Sequence, residues 1–137
     1  MGIEIQGVAP LLQVFDMPAA VHFYRDLLGF ELVLTSRPGE YFDWALLRLS
    51  GVELMLNTQY ERERRPADPD AVRARWHADT CLYFGCRDVD GAYRFLRGKG
   101  LDVKEPVNRE YGMRQLEVVD PDGYHVCFQW PCESETA

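Results

Sequence analysis

The strongest constraint on this chain is an internal duplication. Asp16 and Asp88 stand 72 positions apart, and at that offset Ala20 meets Ala92 and Phe23 meets Phe95. After a one-residue gap, Gly29-Phe30-Glu31-Leu32 meets Gly100-Leu101-Asp102-Val103, and Gly51-Val52 meets Gly123-Tyr124. Two copies of one unit must build the same supersecondary structure twice. Each copy reads as a strand, a helix and three strands. The expectation is an α+β fold of two tandem βαβββ modules, forming a curved mixed sheet around a cavity with the helices on the outer face. The 137 residues suit one domain: module 1 at about 8–57, a connector at 58–80 and module 2 at about 81–130.

In the first copy, residues 8–15 alternate and are rich in apolar side chains. Asp16 suits a helix N-cap and Pro18 the first turn. Val21, Tyr24, Leu27 and Leu28 recur at helical spacing, and Gly29 suits the stop. Strands follow at about 30–35, 41–49 and 52–57, with Ser50-Gly51 as a tight turn. In the second copy, strand 81–86 leads to Asp88 as a cap and a helix ending near Gly98. Strands are expected near 101–105, 113–119 and 124–130, with Asp120-Pro121-Asp122-Gly123 as a turn. The polar connector holds one short helix in 70–76. The mixed-charge run around Arg62 to Arg65 reads as a solvated loop and Pro131 to Ala137 as a frayed tail.

Strand alternation sorts side chains onto two faces. One set is apolar and must pack on the helices: Leu12, Val14, Ala45, Leu47, Leu49, Val52, Leu54, Leu56, Leu82, Phe84, Leu116, Val118, Val126, Phe128 and Trp130. The opposite set mixes aromatic and polar groups, among them Gln13, Trp44, Arg48, Glu53, Tyr83, Gln115, Glu117, Cys127 and Gln129. A merely solvated face favours Lys, Glu and Thr; this mixture suits a concave pocket with a few orienting contacts. The candidate ligand-binding residues are therefore Gln13, Trp44, Arg48, Tyr83, Gln115, Glu117 and Gln129. Trp44 and Tyr83 either stack on a planar ligand or simply pack. Glu53 is the candidate catalytic carboxylate, and the competing account is an ion pair with Arg48 across the Ser50-Gly51 turn. His125 reads as a rim residue. Arg114 falls off the mixed face, as a surface or interface ion pair.

A formal net charge of −7 and the lack of a basic face argue against nucleic acid as a partner. No apolar run approaches the roughly 20 residues of a membrane span, and the N-terminus lacks the pattern of a secretion signal. The expected location is the cytoplasm. Cys81, Cys86, Cys127 and Cys132 form no CxxC and read as reduced packing residues.

Asp16…Phe23-Tyr24-Arg25-Asp26-Leu27-Leu28-Gly29-Phe30 resembles the "D-x-x-x-x-x-x-FY-x-x-x-LG-F" signature of the vicinal oxygen chelate superfamily, which includes glyoxalase, bleomycin-resistance proteins and dioxygenases. Gly112-Met113-Arg114 followed by Asp120-Pro121-Asp122-Gly123 resembles its second signature, "G-x-R…DPDG". The resemblance covers about residues 8–130 and implies a homodimer. In metal-dependent members, four symmetric strand positions supply His, Gln or Glu ligands. Carried over, these are Ala9, Glu53, Cys81 and Cys127, and only Glu53 keeps the usual chemistry. The resemblance is therefore nearest to the metal-free bleomycin-resistance type, a protein sequestering a hydrophobic or planar small molecule, with no cofactor favoured. The alternative is a metal-dependent lyase, isomerase or dioxygenase in which Glu53, Cys81 and Cys127 hold a divalent metal such as Zn.

Overall fold

The computed structural model describes residues 2–60 and 62–132; Glu61 of the mixed-charge run and the expected frayed tail from Glu133 onward lie outside them. The chain divides between Asp70 and Ala71 into two compact units.

In the first unit, β1 (Leu11–Gln13) leads into α1 (Met17–Val21), which continues as a π-helical stretch, His22–Leu27. Then come β2 (Glu31–Thr35), β3 (Trp44–Leu49), β4 (Val52–Asn57) and a short 3-10 turn, Arg62–Arg64. The second unit opens with α2 (Ala71–His77), inside the expected connector. It continues with β5 (Cys81–Gly85), α3 (Val89–Gly98), β6 (Val107–Asn108), β7 (Met113–Val119) and β8 (His125–Pro131). Each unit holds its own four-stranded sheet, in order β1-β4-β3-β2 and β5-β8-β7-β6. The outer pairs β1/β4 and β5/β8 are parallel and the rest antiparallel. The two units thus repeat one βαβββ topology, as the 72-residue offset requires.

Local chemistry explains the boundaries. Asp16 Oδ1 accepts from the Ala19 amide at 3.4 Å, and Asp88 Oδ1 from the Gly91 amide at 2.8 Å, so both helices start on aspartate caps. The Leu28 amide bonds back to the Phe23 carbonyl, five residues earlier, which widens the last turn of the first helix into π geometry. Ser50 and Gly51 both take positive φ, 51° and 82°, the demand of a two-residue hairpin turn matched to strand twist.

The alternation expected for the core holds. Ala45, Leu47, Leu54, Leu56, Leu116 and Val126 are 0 % exposed. Helix α1 packs on β4, and α3 on β7 and β8. Val52 and Trp130, assigned to the same face, are exposed instead; both stand at strand ends. The repeat does not fix burial at every matched position, as Phe95 shows. Its counterpart Phe23 is buried, whereas Phe95 is largely exposed under the Lys99 ammonium.

Three strands differ from expectation, and the one placed at 41–49 begins only at Trp44. β1 is short, although its ladder runs from the Pro10 carbonyl, bonded to the Met55 amide, to the Val14 amide, bonded to the Asn57 carbonyl. The strand placed at 101–105 lies later, at Val107–Asn108, opposite Gln115 and Arg114. Pro106 has no N–H to give a ladder, so pairing begins only after it.

Helix α2 is pinned to the Asp120–Gly123 turn. His77 Nδ1 donates to the Asp122 carbonyl at 2.7 Å, and its ring stacks on Tyr124 with centroids 4.1 Å apart. Asp120 Oδ1 accepts from the amides of Asp122 and Tyr124, each at 2.9 Å. Gly123 has φ +92°, and a Cβ there would strike the Ala74 carbonyl oxygen. Gly123→Ala should therefore destabilise the protein by about 2 kcal/mol or more, through both backbone strain and displacement of α2. Gly98→Ala, with open space around it, should be neutral within ~0.5 kcal/mol. Urea melts of the two variants check the contrast.

Candidate functional site

The mixed face of the second sheet carries an ordered polar cluster. Register sets Gln115 of β7 against Gln129 of β8 and against Val107 of β6. Gln115 is only 6 % exposed, so its amide must find partners inside the protein. Arg109 Nε donates to Gln115 Oε1 at 3.0 Å and the Tyr111 hydroxyl to the same oxygen at 3.1 Å. Gln115 Nε2 donates to Gln129 Oε1 at 2.8 Å. Two steps along β7, Glu117 Oε1 lies 4.0 Å from His125 Nδ1. A cavity of about 410 Å³ opens beside this row, lined by Val103, Val107, Arg109, Gln115, Glu117 and His125 among others. Tyr83 and Tyr111 expose 58 % and 69 % of their surfaces. The cavity wall thus alternates valines with charged and polar groups, and the two tyrosines lie outside its lining.

In the first sheet, Asn57 Nδ2 donates to Gln13 Oε1 at 3.2 Å across β1 and β4, and Trp44 lies opposite Asn57 in register. Arg48 Nη2 donates to Glu53 Oε2 at 3.0 Å across the β3/β4 hairpin. Arg48 and Glu53 are directly paired in register, so the ion-pair account of Glu53 describes its geometry. Both side chains reach solvent, and such pairs couple weakly. Of the seven expected binding residues, Gln115 and Gln129 are joined directly and Gln13 is tied to Asn57. Glu117 continues the Gln115 row, Arg48 is engaged by Glu53, Tyr83 is open and Trp44 half-buried.

Sequence alternation missed Arg109. It stands in the β6–β7 hairpin, where its amide bonds to the Met113 carbonyl and its carbonyl accepts from the Gly112 amide. It follows Val107 by two residues, the spacing that keeps one face. A strand placed at 107–108 would have shown it. Arg114 lies off this face, as expected: Nη2 and Nε donate to the two oxygens of Asp90 at 2.7 and 3.1 Å, and Nη1 to Asn108. That guanidinium, first through its hydrogen bonds, holds the Asp90 carboxyl below its ordinary range.

The carried-over metal positions do not form a donor set. Ala9 has no donor, and Glu53 is engaged by Arg48. Burial is the main cause raising both thiols. Cys81 is pushed up, and Cys127, with Cys81 and Glu117 adding negative charge nearby, reaches about 11. Metals take thiolate, and these environments favour the neutral thiol. Among the described residues, no three His, Cys, Asp or Glu side chains converge on a point that could hold a metal ion.

The family model for the Glyoxalase/Bleomycin resistance protein/Dioxygenase superfamily matches residues 6–128, and the chain belongs to that superfamily. Among solved structures it is similar to TnmS3, an antibiotic binding protein from Streptomyces sp. CB03234. The two are 25 % identical over 95 % of this chain and 99 % of that one, with a TM-score of 0.68. It also resembles a glyoxalase/bleomycin resistance protein/dioxygenase from Nocardioides, at 22 % identity over 97 % and 88 % of the two chains and a TM-score of 0.70. A third is the bleomycin-binding protein of Streptomyces verticillus, solved with copper(II)-bleomycin, at 21 % identity over 97 % and 100 % with a TM-score of 0.67. The last two likenesses are of fold.

The Arg48–Glu53 pair yields a direct test. A double-mutant cycle with Arg48→Met and Glu53→Gln should give a coupling below about 1 kcal/mol in urea melts, smaller still at high salt. Iodoacetamide at pH 7.5 should leave Cys127 unmodified in the folded protein and alkylate it after unfolding, since the side chain is buried and its thiolate forms only near pH 11. Peptide mass mapping reads both states.

Proposed function

We propose that this protein binds a small hydrophobic or planar molecule without turning it over, in the manner of the bleomycin-resistance branch of its superfamily. The observation that carries the proposal is the polar row of the second sheet. Gln115 is buried yet bonded at both ends of its amide, and it holds Tyr111 and the cavity-lining Arg109 in place. Such a row orients a ligand through fixed amide, guanidinium and hydroxyl groups. The likeness to an antibiotic binding protein at 25 % identity supports binding as the activity. Within this reading, Tyr83 stacks on the ligand, Gln115 and Gln129 orient it and Glu117 accepts from it. Gln13, Trp44 and Arg48 are the corresponding contacts on the first sheet, and Glu53 serves as the partner of Arg48.

The metal-dependent reading, a lyase, isomerase or dioxygenase using Glu53, Cys81 and Cys127, is the weaker one, because the carboxylate is spent and the thiols are held neutral. We further propose a homodimer in the cytoplasm. Free thiols at Cys81, Cys86, Cys127 and Cys132 suit a reducing compartment, and superfamily resemblance supports the dimer.

A thermal-shift panel of planar aromatic metabolites and glycopeptide antibiotics tests binding. A true ligand at a hundred times its Kd should add about 2.7 kcal/mol and raise Tm by several degrees. Tyr83→Ala should reduce the shift. A flat panel, or near-stoichiometric metal in protein purified without chelator, would move the balance to the metal-dependent alternative.

A further inference from the structure

We infer that Arg109 is an oriented donor for an acceptor oxygen of the ligand, a carboxylate or a ring carbonyl; the inference rests on the binding role proposed above. Arg109 can only donate. Its Nε and the Tyr111 hydroxyl both point at Gln115 Oε1, at 3.0 and 3.1 Å. A donor-only guanidinium fixes which end of the Gln115 amide is oxygen. The nitrogen must then face Gln129, and it donates to Gln129 Oε1 at 2.8 Å. The direction propagates one residue further: Gln129 spends its oxygen and keeps its Nε2 hydrogens.

The row therefore ends in donors on both sides. Among the described residues, Gln129 Nε2 makes no hydrogen bond, and the terminal nitrogens of Arg109 make neither a hydrogen bond nor an ion pair. Arg114, by contrast, has its charge matched by Asp90. The Arg109 guanidinium is held by a neutral amide, which fixes its direction and leaves it without a direct ion pair among the described residues. It lines the 410 Å³ cavity together with Lys104 and the carboxylates of Asp102, Glu105 and Glu117, and forms an ion pair with none of them. The cavity thus reads a ligand with polarity: an acceptor oxygen at Arg109 and a hydroxyl or amino donor toward Glu117.

Three probes of one shape test this: 6-hydroxy-2-naphthoate, its carboxamide, and 6-hydroxy-2-naphthylmethylamine, measured by calorimetry on the full chain. The carboxylate and carboxamide should bind at least ten-fold more tightly than the ammonium. Arg109→Met should weaken the carboxylate about ten-fold and leave the ammonium within two-fold. Gln115→Glu keeps both acceptor bonds but supplies Arg109 with a countercharge, so it should weaken the carboxylate more than the carboxamide; circular dichroism checks that the fold is retained. Ammonium binding as tight as carboxylate, or an Arg109→Met protein with unchanged carboxylate affinity, would overturn the role of Arg109 while leaving ligand binding intact. No binding by any of the three would overturn both.

Discussion

Helix burial on one face of each sheet is the constraint from which the rest follows. Side chains alternate along a strand, so once Leu116 and Val126 are buried among apolar neighbours, Gln115, Glu117, Cys127 and Gln129 must point the other way. Slipping β7 by one residue would bury Glu117 on the core side and expose Leu116 and Val118 together. The same holds in the first sheet, where fully buried Ala45, Leu47, Leu54 and Leu56 commit Trp44, Arg48, Glu53 and Asn57 to the opposite face. The hydrophobic term that stabilises each unit therefore also decides which residues are available to meet a ligand.

The duplication gives the two faces equivalent addresses and different chemistry. Trp44 pairs with Asn57 in the first sheet, and Gln115 pairs with Gln129 in the second. These are corresponding positions of the repeated β3/β4 and β7/β8 hairpins. One sheet places an indole where the other places an amide. The amide alone can pass on hydrogen-bond direction, which is why the organised polar row, with Arg109 and Tyr111 attached, lies on the second sheet. Arg48 and Glu53 neutralise each other across their hairpin, whereas the guanidinium of Arg109 is held by a neutral amide.

Much of this was legible in the sequence because it is periodic. The strands 52–57 and 113–119, both aspartate caps and the Ser50-Gly51 turn follow from alternation and from residues with narrow backbone preferences. The non-periodic parts were not legible. Residues 101–105 alternate well enough to pass for a strand, yet Pro106 delays pairing until Val107, and that shift hid Arg109 in what reads as loop. The burial of Cys127 agrees with its reading as a packing residue, although alternation alone assigns a face and says nothing about what covers it. Phe95, matched to buried Phe23 yet exposed, shows that a repeat preserves a position without preserving its burial.

Cys127 shows how burial decides the chemistry open to a residue on the mixed face. Burial, Cys81 and Glu117 all raise this thiol, so the side chain is held neutral and serves as packing. Gln115 and Gln129, on the same face of the strands beside and including Cys127, are then free to bond each other across the sheet. Their amides need no deprotonation and carry no net charge, so they can lie buried at little electrostatic cost while still imposing direction. Oriented neutral dipoles, with one guanidinium held at the end of the row, are the arrangement this face of the second sheet adopts.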